Sequence, residues 1–125
     1  MSEANPVEEQ LRQANQALTD AKGAYDAELS DVVVVNRLYY ACFHAAQAVL
    51  YDRGYEPESH GGVLSLFGSE VVVEGDASRE QGRFLNDLST LCKQADYGYE
   101  PLDEDIAELL DETTSFVETM EELVE

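Results

Sequence analysis

The residues best suited to chemistry fall in two short tracts. In the first, Arg37, Tyr40, His44 and Gln47 follow one another at spacings of three, four and three, which puts all four on one face of a helix. Such a seam could bind a phosphate or a base, with the arginine supplying planar donors and the tyrosine a stacking surface. It could equally form the wet edge of a subunit interface, with His44 and Tyr40 hydrogen-bonding between helices. The second tract runs from Leu91 to Pro101 and crowds Cys92, Lys93, Asp96, Tyr97 and Tyr99 together near the end of a helix. An acid at a helix C-terminus opposes the macrodipole, so Asp96 is expected to make a specific bond, to Arg37 or to a tyrosine hydroxyl. A clasp between helices would explain this tract without any catalysis.

Other chemistries find little support. His44, His60, Cys42 and Cys92 show neither C-x-x-C nor H-x-x-x-H spacing, so no metal site is expected. The acids include no calcium-loop pattern, and Gly61-Gly62 precedes no G-K-[ST], so neither a calcium loop nor a phosphate-cradling loop is predicted. Cys42 lies among apolar residues and reads as core rather than nucleophile. No cofactor is expected.

These residues belong to a chain of 125 with 27 acidic and 7 basic side chains, a net charge of -20, against a magnitude of about 2 to 8 that suffices for solubility. Self-repulsion on that scale strains a compact state in dilute buffer, whereas molar salt shortens the Debye length to about 3 Å. The composition therefore reads as that of a halophile. It also argues against a broad basic face for nucleic acid. No apolar run reaches the roughly 20 residues of a bilayer crossing, and the first residues carry no basic-then-apolar signal. The expected compartment is the cytoplasm, with the two cysteines reduced.

The elements that must position the two tracts are helices, in a single domain over residues 1–125. Asn5-Pro6 opens the first, with Glu8 placed to answer the cap and Leu11, Ala14, Leu18, Ala21 and Tyr25 on one face. The second runs from about Ser30 to Asp52, closed by Gly54. Its apolar residues Val35, Leu38, Tyr39, Cys42, Phe43, Ala45, Ala46, Val49 and Leu50 go nearly all round, as befits a helix surrounded by others. Ser59 caps a third with Val63, Leu64, Phe67 and Val71, and Ser78 with Gln81 boxes a fourth with Phe84, Leu85, Leu88, Leu91, Cys92 and Ala95. The last, from about Asp103, carries Ile106, Leu109, Leu110, Thr113, Phe116, Val117, Met120, Leu123 and Val124. The valine runs 32–35 and 71–73 could favour strands, but both continue into helical periodicity. The expected fold is an all-α, up-and-down bundle of about five helices.

The string from Asn36 to Leu50 (N-R-L-Y-Y-A-C-F-H-A-A-Q-A-V-L), followed by Gly54, His60-Gly61-Gly62, Phe67 and Ala95-Asp96-Tyr97, resembles a small prokaryotic branch of the HEPN family (higher eukaryotes and prokaryotes nucleotide-binding). The resemblance implies a helical bundle that dimerises and is often paired with a minimal nucleotidyltransferase as a toxin–antitoxin system. It also implies an R-x(4-6)-H ribonuclease motif near the end of the fourth helix, sometimes followed by a modifiable tyrosine. Here that register falls on Cys92, Tyr97 and Tyr99, so the motif is degenerate. A thiol cannot stabilise a phosphorane as a guanidinium does, and a phenol with a pKa of about 10 is a poor general base. Arg37-x(6)-His44 and Arg53-x(6)-His60 match by letter count but in the wrong helix and the wrong loop.

The expected function is thus a dimeric HEPN-like binding module, non-catalytic or weakly active, with a nucleotidyltransferase as partner protein. It would hold partner, nucleotide or RNA in a cleft of Arg37, Tyr40, His44, Cys92, Asp96, Tyr97 and Tyr99. The alternatives are a divergent ribonuclease using Arg37 and His44, and an architectural adaptor docking through its last helix.

Overall fold

Residues 5–97 and 105–124 are described in a computed structural model, residues 95–97 by their backbone alone. Every described element is helical, and no strand occurs among these residues. The first helix, α1 (Pro6–Asp26), begins as expected: the Asn5 side chain accepts a hydrogen bond from the Val7 amide at 2.8 Å, and Pro6 sits in the first turn, where its missing N–H goes unneeded. The cap is not answered by Glu8. Neighbouring Glu9 instead turns along the helix to accept from Arg12 Nε at 3.0 Å, and that guanidinium holds its carboxyl down at about 2. Ala14, Leu18 and Ala21 are buried, whereas Tyr25 is turned outward.

Helix α2 (Asp31–Asp52) is the axis of the bundle. Each apolar residue predicted to ring it is buried, because α1, α4 and α5 pack around it. The valines at 32–35 form its first turn rather than a strand, and Gly54, at a φ of 90°, takes the left-handed conformation that stops the chain behind it. Ser59 then caps α3 (His60–Leu66), accepting from the Gly62 amide at 2.9 Å.

From Phe67 the helix widens into a π-helix, Phe67–Val72. The expectation of one regular third helix is corrected here. Val63, Phe67 and Val71 are all fully buried at a spacing of four, which drifts off one face of a helix with about 3.6 residues per turn. A turn closed by i→i+5 bonds keeps Phe67 and Val71 facing the same core, as in the Val73 N–H to Gly68 carbonyl bond of 3.0 Å. Val73, next along, is left 77% exposed.

Helix α4 (Arg79–Tyr97) starts with the predicted box: Gln81 N–H donates to Ser78 Oγ and Ser78 N–H to Gln81 Oε1, both at 3.0 Å. Helix α5 (Ile106–Leu123) is capped by Asp105, which accepts from the Glu108 amide at 3.2 Å. Phe116 of α5 meets Phe67 with ring centroids 5.6 Å apart, closing the core between α2, α4 and the π-helix. Cys42 is fully buried beside Thr113, and burial pushes its thiol far above the usual range. That agrees with its reading as core. No helix among the described residues is long and apolar enough to cross a membrane.

Candidate functional site

One face of α2 organises the polar groups. The Arg37 guanidinium donates from Nε and Nη2 to Asn36 Oδ1, at 3.0 and 2.7 Å, and lies 5.2 Å from the centre of the Tyr40 ring, within cation–π range. The Asn36 amide in turn points its Nδ2 at Cys92 Sγ of α4, 3.9 Å away. A short polar chain thus joins Arg37 to Cys92 through one asparagine. One turn beyond Tyr40, His44 Nδ1 lies 2.7 Å from Gln10 Oε1 of α1. An amide oxygen only accepts, so Nδ1 carries the hydrogen and Nε2 keeps its lone pair.

Burial, with smaller contributions from Arg37 and His60, pushes the His44 pKa below its ordinary value. The neutral ring is therefore the form present at pH 7. In a proton NMR titration the His44 midpoint is expected below about 6.5, and Arg37→Gln is expected to move it upward by removing a like charge. A midpoint that does not move in the variant would detach Arg37 from His44. The sign for folding follows: a folded-state pKa below the unfolded one gives stability that is present above about pH 6.5 and lost as the pH falls from there.

The structure divides the expected cleft in two. Arg37 and His44 open, with Arg12, Gln16 and Asp20 of α1, onto a groove of about 390 Å³. Cys92 opens onto a larger one of about 690 Å³ between α3, the π-helix and α4. Tyr40, half-buried, lines both. The side chains of Asp96 and Tyr97, and Tyr99 altogether, lie outside the described residues, as does the bond expected of Asp96.

His60, left out of the expected cleft, is brought by the fold against α2. Its ring stacks on Phe43 at 4.2 Å and 17°, and its Nδ1 is 3.1 Å from the Tyr39 hydroxyl. Burial raises the pKa of that phenol. Arg53, paired with His60 by letter count, is engaged elsewhere: its Nη1 lies 2.7 Å from Asp76 Oδ2 and donates to the Glu70 carbonyl at 3.2 Å. Stacking between residues 17 apart on separate helices leaves no periodic trace, so only the fold could reveal His60.

Comparison with known proteins decides the family, since residues 7–123 match the family model of the HEPN domain. The chain belongs to the HEPN family. It is 33% identical to a UPF0332 protein of Thermotoga maritima over 95% of this chain and 91% of that one. It is also 33% identical to a Methanocaldococcus jannaschii protein named as a candidate toxin, over 84% and 78%. A UPF0332 protein of Gloeobacter violaceus is 38% identical over 70% and 69%. Cys92, which the resemblance set at the arginine's position, is a buried thiol with the Asn36 amide Nδ2 3.9 Å from its Sγ.

Proposed function

We propose that this HEPN domain is a binding module rather than a ribonuclease, acting as a homodimer and pairing with a nucleotidyltransferase in a cytoplasmic toxin–antitoxin system. The observation that carries the reading is Cys92, buried at 7% exposure at the position where the family resemblance calls for arginine. It offers no positive charge to a pentavalent phosphate. The toxin pairing draws on the names of two Methanocaldococcus jannaschii relatives. The net charge of -20 supports a setting of concentrated salt.

In molar potassium chloride, wild-type protein and His44→Ala are expected to leave structured RNA equally intact over a time course. Cleavage by the wild type that His44→Ala abolishes would overturn the binding-module reading. Light scattering in the same buffer is expected to give twice the 13.9 kDa chain mass, and a monomer would remove the dimer.

A divergent ribonuclease has one specific observation in its favour. Arg37 reaches the Cys92 position through Asn36 and shares its groove with the neutral His44. The cleavage assay separates the two readings.

A further inference from the structure

The first turn of α1 and the loop that leaves α2 enclose a cleft of about 570 Å³ whose described walls are aromatic, apolar and acidic at once. Tyr51 of α2 and Tyr55 of the loop supply rings, and Pro6, Val7 and Pro57 supply apolar surface. Glu56 and Glu58 supply carboxylates, and none of the described lining residues is basic. Both glutamates are exposed, and neither side chain has a hydrogen-bond or ion-pair partner among the described residues. Their charge is left for something that enters the cleft.

The rings, by contrast, are tied down. Tyr51 Oη accepts from Gln47 Nε2, and Tyr55 Oη donates to Glu70 Oε2 at 2.8 Å, so both hydroxyls are engaged by residues that do not line the cleft. Arg53 ties the same loop to the π-helix a second time, donating to the Glu70 carbonyl at 3.2 Å and pairing with Asp76 at 2.7 Å. Gly54, left-handed at a φ of 90°, turns the chain so that the Tyr55 amide donates to the Leu50 carbonyl at 2.9 Å. On the opposite wall the Asn5 cap holds Val7. A guest therefore meets walls that are ordered before it arrives, which lowers the entropic cost of binding.

We propose that this cleft binds an alkylated ammonium ion, a quaternary nitrogen whose methyl groups lie against the Tyr51 and Tyr55 rings and whose charge is matched by Glu56 and Glu58. An aromatic face attracts a cation through its quadrupole, and the proline and valine surface covers methyl groups that water solvates poorly. Simpler cations fit less well. A primary ammonium brings three N–H donors that must leave water, and carboxylates as exposed as these return little for a strongly hydrated ion. A metal ion needs several oxygens at once, whereas the described lining offers two carboxylates and two hydroxyls already engaged. A quaternary nitrogen has no N–H to satisfy. The same chemistry is carried by a free cation such as choline and by trimethyllysine on another chain. The proposal stands apart from the reading above and needs neither the dimer nor the nucleotidyltransferase.

Proton NMR titration of the full chain in molar potassium chloride tests this. The probes are choline, its neutral isostere with carbon in place of nitrogen, ethanolamine and a short peptide bearing trimethyllysine. Choline is expected to bind saturably, its methyl line moving upfield in the ring currents while tyrosine ring lines shift in step. The isostere, which lacks the charge, and ethanolamine, which lacks the methyl groups, are each expected to bind at least about tenfold more weakly. A peptide that binds more tightly than choline assigns the cation to a protein side chain, and the reverse order assigns it to a free small molecule; either supports the site. Glu56→Gln combined with Glu58→Gln is expected to weaken choline about tenfold, and Tyr51→Leu by as much. Glu112→Gln on α5 should change nothing, and unchanged circular dichroism shows that each variant folds. Should Tyr51→Leu fail to fold, the paired glutamines at their exposed positions carry the test. No saturable binding of choline or of the peptide, an isostere that binds as tightly as choline, or an affinity untouched by the paired glutamines would overturn the proposal.

Discussion

Phe116→Ala is expected to lower the unfolding free energy by about 3–5 kcal/mol, measured by urea denaturation with an unchanged m-value. The ring is 1% exposed and is shared by three elements, since it meets Phe67 of the π-helix at 5.6 Å and Phe84 of α4 at 6.5 Å. Truncation removes the transfer free energy of a phenyl group and leaves a void that fixed helices on two sides cannot collapse into. Against a total of roughly 5–15 kcal/mol for a domain of ordinary stability, that loss is about a fifth or more. Val73→Ala is the matched control, because Val73 is 77% exposed and its loss should stay within about 0.5 kcal/mol. Equal effects of the two variants would mean that α5 does not pack as described.

The second large effect concerns salt. The net charge is -20, from 27 acids against 7 bases, and two ion pairs form among the described residues, Arg12–Glu9 and Arg53–Asp76, so the cations are too few to neutralise the carboxylates. Raising potassium chloride from about 0.1 to 1 M shortens the Debye length from about 10 to 3 Å. The melting temperature is expected to rise on the order of 10 °C over that interval, about 2–3 kcal/mol at roughly 4 °C per kcal/mol. The shape of the curve discriminates between causes. Screening saturates once the Debye length falls below the spacing of surface charges, so the rise should flatten above molar salt. A flat melting curve across the whole range would remove the proposed adaptation to concentrated salt.

How much was legible in the chain itself differs from element to element. Caps could be read because they are local: Asn5, Ser59 and Ser78 with Gln81 each bond an amide within three residues, whereas the last helix, expected from about Asp103, is capped by Asp105. The burial of α2 could be read because apolar residues on every side admit only a central position. Register across the bundle could not. The widening at Phe67 depends on which core the Val63, Phe67 and Val71 side chains must share. Tyr25 is exposed although it continues the face of Leu18 and Ala21.

The candidate site followed the same division. Arg37, Tyr40 and His44 share a face because helical periodicity requires it, and the HEPN resemblance rested on a contiguous string of α2. Whether that face meets one cleft or two was a matter of where α3 and α4 lie, and Tyr40 turned out to stand between them. By itself the order of residues determined that the chain is helical, three of the N-caps and the central place of α2, which follow from interactions within a few positions and from the apolar pattern of single elements. Only tertiary packing decided that His60 rests on Phe43 and that Tyr40 lines two grooves, because these depend on distances between helices that no spacing along the chain encodes.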